Sequence, residues 1–458
     1  MTTDPLAGTT PLATGAPELA RRLERMVRQA QHDWRSPAVS AGVVRGGSLV
    51  WSTHVGSARI DPALAPTDDT QYMIGSITKT FTAVVVMALR DEGRLRLDDR
   101  LSTWLPDTRH GDVTLRQMLA HSSGLQREPV GRIWETLDAP DEQRLHAELE
   151  QAERVLPPHF VFHYSNLAYA LLGQVVERVE GAPWEDVVRR RILDPLEMRH
   201  TGLTPREDRA LGYQVHPFSG LATQEPRFDL RATAALGGLW STVADLGRYA
   251  AFVADPVEEV LSADTVEEMC RPLVITDPDG WTGGYGLGFG MGRLGERVLV
   301  GHGGAMPGYL TGLRVRRADG VGAVVFANTT AGADSLVLAG RLVAEVLDAE
   351  PTPAQAWVPS TPRPELREIL GSWWSEGEEL VFEVRGEDLW CRVPGAPATT
   401  NETRFEADGA DRFRAVQGRE RGELLEVARD EEGMVSRMYF ATYAVTREPR
   451  AFADLVTP

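Results

Sequence analysis

Met73-Ile74-Gly75-Ser76-Ile77-Thr78-Lys79 leads straight into the apolar run Phe81 to Leu89. A run that is apolar on every side reads as a helix buried all round rather than one lying on a surface. With Ser76 opening that helix, the side chains of Ser76 and Lys79 share one face at i and i+3 and touch. Lys79 is also the only lysine in the chain, the other 47 of its 48 basic residues being arginine. Arginine keeps its proton inside proteins, whereas a buried lysine can lose it and act as a base. Burial and the positive end of the helix dipole both penalise the ammonium form. Lys79 is therefore expected to take the Ser76 proton and leave an activated nucleophile.

The flanking segments predict how this helix is housed. Pro17 opens a helical pattern, with Leu19, Leu23, Met26, Val27 and Ala30 at helical spacing, that runs to about His32. Ala38 to Val44 and Leu49 to His54 read as two strands of a hairpin turning at Gly46-Gly47. Far downstream, Val298 to Val300, Gly312 to Arg316 and Gly322 to Ala327 are further β-rich runs, followed by a helix from about Asp334 to Leu347. Strands from both chain ends then form one antiparallel sheet flanked by helices, with the helical middle, roughly 70 to 250, packed against it, an α/β (α+β) arrangement. Leu115 to Leu119 reads as a helix, which removes Ser122 and Ser123 from consideration as a nucleophile carried on a strand-to-helix elbow.

Five prolines between Pro351 and Pro364 mark a semi-rigid linker. Beyond it, alternating runs at Leu380 to Val384, Asp388 to Val393, Leu424 to Val427 and Met434 to Phe440 predict a small all-β barrel or sandwich. The Trp373-Trp374 pair in it reads as packing rather than a ligand box. The expected organisation is a flexible N-terminus over 1–16, a catalytic domain over 17–350, a linker over 351–364 and a β-domain over 365–458.

A formal charge of -18 and a pI near 5.1 argue against a nucleic-acid partner, which needs a concentrated basic surface. No apolar stretch approaches the roughly 20 residues that cross a bilayer, so no membrane partner is expected. Met1 to Pro17 has neither a basic start nor an apolar core of the secretory kind, which predicts a cytoplasmic protein. The two cysteines and ten histidines show no metal-ligand spacing. The chemistry at Ser76 calls for no metal or organic cofactor, and the expected partner is a small-molecule or peptide substrate. Oligomeric state is open at this level.

With these residues on the page, the chain resembles the SxxK serine hydrolases of the β-lactamase and penicillin-binding kind, which also include D-aminopeptidases, carboxylesterases and peptide cyclases. The resemblance runs over roughly residues 20 to 350. It rests on Ser76-Ile77-Thr78-Lys79, Thr114 to Leu125 with His121-Ser122-Ser123-Gly124, Tyr164-Ser165-Asn166, Gly237 to Thr242 with Asp245-Leu246, and His302-Gly303-Gly304. It implies that Tyr164 relays a proton beside Ser76 and Lys79, and that Asn166 holds the substrate's amide. It implies further that His302 and Gly304 lie on the strand edging the site, and that the N–H groups of Ala305 and Ser76 form the oxyanion hole.

The chain departs from the pattern in two places. Many relatives carry lysine in the third motif, where His302 stands; a histidine is only partly charged near neutral pH, which weakens the grip on a β-lactam carboxylate. Pro157-Pro158 replaces a common Pro-Gly. The terminal β-domain is similar to the lipocalin-like modules of D-aminopeptidase and cyclase relatives, which implies a wall for the cleft, and the polar stretch Arg127 to Glu153 is expected to form a helical lid. The expected function is a serine hydrolase working through an acyl-enzyme on a small ester or peptide-like amide, of D-aminopeptidase or esterase type. The alternatives are a β-lactamase or D-alanyl-D-alanine carboxypeptidase, a peptide macrocyclase, and a non-catalytic penicillin-binding-like sensor.

Overall fold

The structure, a computed structural model, describes residues 17–106, 108–353, 357, 359, 361–396, 402–451 and 454. The chain forms two compact units that divide between Thr352 and Pro353. The flexible N-terminus expected over 1–16 lies outside the described residues.

In the first unit the N-terminal helix α1 (Pro17–Trp34) is followed by β1 (Ala38–Arg45) and β2 (Ser48–Gly56). The helical middle contains α2 (Thr78–Asp91), α3 (Asn166–Glu180) and α4 (Val243–Ala254) among shorter helices. The chain then returns through β3 (Val274–Ile275), β4 (Gly283–Tyr285), β5 (Gly290–Leu294), β6 (Arg297–Met306), β7 (Tyr309–Arg316) and β8 (Val321–Ala327) to α5 (Ser335–Ala349). These eight strands make one antiparallel sheet in the order β2-β1-β8-β7-β6-β5-β4-β3. The two chain ends join where β1 pairs with β8, Val39 standing opposite Ala327.

Helices cover both faces of the centre of this sheet, so its strands read as continuous apolar runs rather than alternating ones. Val39, Ala41 and Val43 of β1 pack with Leu23 and Val27 of α1 and Leu342 and Val346 of α5. Val44, Val324 and Phe326 face the other way, into the cluster that holds Tyr249 and Phe252 of α4 and Phe81 of α2. All residues of α2 from Thr78 to Leu89 are buried, as the all-round apolar run requires. Its threonines satisfy their hydroxyls on nearby carbonyls, Thr80 on Ile77 O at 2.7 Å and Thr82 on Ala235 O at 2.9 Å.

The stretch expected as a lid, Arg127 to Glu153, forms only short helices at Ile133–Thr136, Glu142–Glu148 and Leu149–Gln151. Ile133, Leu145 and Leu149 are buried in the main core. Their burial ties the stretch expected as a helical lid to the body of the unit.

In the second unit, β9 (Gly371–Ser375), β10 (Glu378–Arg385), β11 (Asp388–Arg392), β12 (Glu402–Ala407), β13 (Arg412–Gln417), β14 (Leu424–Arg429), β15 (Val435–Phe440) and β16 (Tyr443–Val445) follow one another as an antiparallel meander. The meander nearly closes into a barrel. Trp374 N donates to Thr446 O at 2.7 Å and Thr446 N returns a bond to Trp374 O at 2.9 Å. Trp373 is fully buried in the barrel core with Phe382, Phe405 and Leu425.

One close approach positions everything that follows. Gly75 begins the single 3-10 turn Gly75–Ile77 ahead of α2, and that turn lies against Gly304-Ala305 of β6. A Cβ on Gly304 would fall 1.9 Å from Ile74 O, and one on Gly75, whose φ is +50°, would fall 2.6 Å from Ala305 N. Only glycine permits this contact. Gly304→Ala is therefore expected to lower stability by about 1–3 kcal/mol through overpacking against backbone. Thermal unfolding followed by near-UV circular dichroism measures this, and an unchanged midpoint contradicts the contact.

Candidate active site

Ser76 sits on the 3-10 turn and Lys79 one turn later in α2. Lys79 Nζ donates to Ser76 Oγ at 3.0 Å and to Leu236 O at 2.5 Å. The Lys79 side chain is fully buried. Its amine titrates well below the usual lysine value, because burial penalises the charged form; the Glu128 carboxylate opposes this and the Arg127 guanidinium adds to it. An uncharged amine against a hydroxyl can accept its proton.

Tyr164 is brought to the pair by the start of α3. Ser165 caps that helix, its Oγ accepting from Ala168 N at 3.0 Å and donating to Gln126 O at 2.7 Å. The Ser165 N–H donates to His121 Nδ1 at 3.0 Å, and Asn166 N–H donates to Arg127 O at 2.6 Å. The segment 121–127 thus clamps the residue before the helix. Lys79 Nζ lies 5.0 Å from the Tyr164 ring centre and Arg127 Cζ lies 5.1 Å from it. Burial raises the phenol above its ordinary range, and the hydrogen-bonded Ser76 only partly offsets that. The phenol keeps its proton.

His302 is nine-tenths buried on β6. Its Nδ1 lies 2.5 Å from Gly303 O, which can only accept, so Nδ1 carries the proton and Nε2 faces the Tyr285 hydroxyl at 3.1 Å. Burial, and after it the nearby Lys79 amine, press the imidazole down to about 3. The expectation of a partly charged histidine is corrected on that ground: the ring is neutral across physiological pH.

A cavity of about 510 Å³ opens over these groups. Ser76, Tyr164 and His302 line it with Gly303, Gly304 and Ala305, and Arg127, Phe162 and the start of α5 around Asp334 complete it. The Gly304-Ala305 backbone stands directly beside Gly75-Ser76.

Asn166, expected to hold a substrate amide, has a buried Oδ1 that makes no hydrogen bond among the described residues. Its Nδ2 donates to both Glu128 oxygens, at 2.8 and 2.9 Å, and the residue does not line the cavity. Asn166 thereby fixes Glu128. Glu128 is further paired with Arg127 at 3.4 Å, and its charge reaches both Lys79 and Tyr164. Arg127, Glu128 and Tyr285 were missed at the sequence level. The first two begin the polar stretch read as a lid, and Tyr285 lies within a glycine-rich run whose composition carries no chemical signal.

The comparisons with known proteins agree with this geometry. The sequence profile of the Beta-lactamase family matches residues 23–348, and that of a domain of unknown function (DUF7586) matches residues 362–447. Beta-lactamase-like protein 2 of Dictyostelium discoideum is 30% identical over 287 residues, which are 59% of this chain but only 52% of that protein. Penicillin-binding protein 4 of Amycolatopsis lactamdurans is 30% identical over 287 residues, 58% of this chain and 74% of the relative. Among solved structures, a D-stereospecific amidohydrolase from Streptomyces sp. superposes with a TM-score of 0.60 at 26% identity, over 71% of this chain and 98% of that one. Taken together, the paired serine and buried lysine, the strand beside them and these matches make the chain a member of the Beta-lactamase family.

Proposed function

We propose that the chain is a serine hydrolase that forms an acyl-enzyme on Ser76 and releases it to water. The observation that carries this reading is the 3.0 Å contact between Ser76 Oγ and the buried, proton-poor Lys79 amine. In this reading Lys79 takes the hydroxyl proton as Ser76 attacks a carbonyl. Tyr164, which keeps its proton, passes one to the leaving group. The N–H groups of Ser76 and Ala305 receive the oxyanion.

The charges around the cavity favour a substrate with a free amino group. Glu128 is held by Asn166 and Arg127 behind the lining that Arg127 and Tyr164 supply, and its field, which reaches Lys79 and Tyr164, favours an ammonium there. His302 is neutral, so the third-motif position offers no fixed charge to a leaving-group carboxylate of the kind that β-lactams or D-alanyl-D-alanine carry, and Arg127 is the guanidinium lining the cavity. The preferred substrate is then an ester or amide of an amino acid with its amine free. The likeness to a D-stereospecific amidohydrolase supports the D configuration.

Intact-mass spectrometry after brief exposure to p-nitrophenyl esters, D- and L-aminoacyl amides and penicillin tests the nucleophile. The expected outcome is an acyl adduct and turnover that fall at least about a thousandfold in Ser76→Ala; turnover that survives the substitution refutes the reading. The pH dependence of kcat/KM is expected to rise through one ionisation, that of Lys79, with a midpoint far below 10.5 because the neutral amine is the active form. His302 is already neutral above about 3, so a limb near pH 6.5 that disappears in His302→Gln is the contrary result. Glu128→Gln is expected to raise KM for an aminoacyl amide about tenfold to a hundredfold while leaving its N-acetylated analogue unaffected. Equal effects on both compounds remove Glu128 from recognition of the amine.

A further inference from the structure

The residue that brackets Tyr164 is one that the proposed chemistry does not use. His121 lies just beyond the short helix Leu115–Leu119 and is fully buried. Its carbonyl accepts from His163 N–H at 2.8 Å and its Nδ1 from Ser165 N–H at 3.0 Å. One residue thus binds the backbone on both sides of Tyr164. Its ring also lies against the Tyr164 ring, the two centres 4.2 Å apart.

These contacts fix the state of the imidazole. Nδ1 faces an N–H and must accept, so the proton sits on Nε2 and the ring is neutral. Burial, and after it the Lys79 amine, press the group the same way, well below its ordinary value. The Nε2–H is buried and has no hydrogen-bond partner among the described residues. The rings of Phe162, Tyr169 and Tyr285 stand around the imidazole with that of Tyr164, their centres 4.8 to 5.7 Å away. The His121 backbone is in the left-handed region as well, at φ +52°.

An orphaned buried donor and a left-handed residue other than glycine each cost stability, and such costs persist where the surroundings hold a residue to a task. A leucine or phenylalanine at 121 would bury as much apolar surface without leaving a donor unpaired. Neither could accept from Ser165 N–H.

We propose that His121 is a positioning residue for Tyr164: its carbonyl and Nδ1 set the backbone at 163 and 165, and its ring backs the phenol, so that the hydroxyl stays in the cavity that Ser76 and Tyr164 share. The inference rests on the role proposed for Tyr164 as proton donor to the leaving group.

Turnover of one aminoacyl group carried on two leaving groups tests this, because p-nitrophenolate departs without a proton and an amine does not. His121→Phe keeps a ring and loses the acceptor; His121→Asn keeps an acceptor where Nδ1 stood. His121→Phe and Tyr164→Phe are each expected to lower kcat/KM for the amide about tenfold to a hundredfold more than for the p-nitrophenyl ester. His121→Asn is expected to bring the amide-to-ester ratio back to within about threefold of the wild type. In the Tyr164→Phe background, His121→Phe should change that ratio no further. His121→Gln, whose acceptor lies one bond farther out, supplies the same split should His121→Phe fail to fold. Equal losses on both substrates, no recovery in His121→Asn, or a further loss in the double variant overturns the positioning role while Tyr164→Phe still separates the substrates. If Tyr164→Phe does not separate them, the role of Tyr164 falls and that of His121 with it.

Discussion

The Lys79 amine lies where solvent does not reach, held by the Ser76 hydroxyl and the Leu236 carbonyl. A fixed positive charge in that position would be costly, since a buried ion without a counter-charge loses its hydration and gains little in return. Burial disfavours the charge, and the Glu128 carboxylate offsets only part of that effect. This explains why α2 must be apolar all round and why the turn carrying Leu236 packs against both α2 and α3. It also explains why a chain that otherwise uses arginine throughout keeps lysine at this one position.

The same logic extends across the cavity floor. His302 and His121 are both pressed toward their neutral forms by burial, and Tyr164 keeps its proton for the same reason. Close to Ser76 the groups are uncharged hydrogen-bonding ones, and the formal charges of the lining, Arg127 and Asp334, stand farther along the cavity wall with Glu128 behind Arg127. Charge that develops on a reacting carbonyl in such surroundings meets oriented dipoles rather than competing ions, the condition under which preorganised donors act most strongly.

Much of this was legible in the sequence, for identifiable reasons. The Ser76 and Lys79 contact follows from helical spacing, and the edge hairpin from its Gly46-Gly47 turn and flanking apolar runs. Strand β6 was foreseen from residue preference only at Val298 to Val300, and at His302 and Gly304 only through the resemblance, because His302-Gly303-Gly304 has little intrinsic strand preference and is extended by pairing with β7. Strands β12 and β13 were hidden by arginines and glutamates on their outward face. The pairing of Asn166 with Glu128 joins residues 38 apart in the chain, a separation at which no periodicity operates, and the neutrality of His302 depends wholly on burial that only the folded chain supplies.

The approach of Gly304 to Ile74 joins parts of the chain more than two hundred residues apart, and β1, paired with β2 on one side, finds its second partner only in β8. During synthesis from the N-terminus, the ribosome must therefore release nearly the whole first unit before the serine and the strand beside it can meet. Until then the other edge of β1 stays open and apolar, a state exposed to chaperones and to self-association. A nascent chain accordingly lacks this site, and the serine meets the strand beside it only when the enclosure is complete.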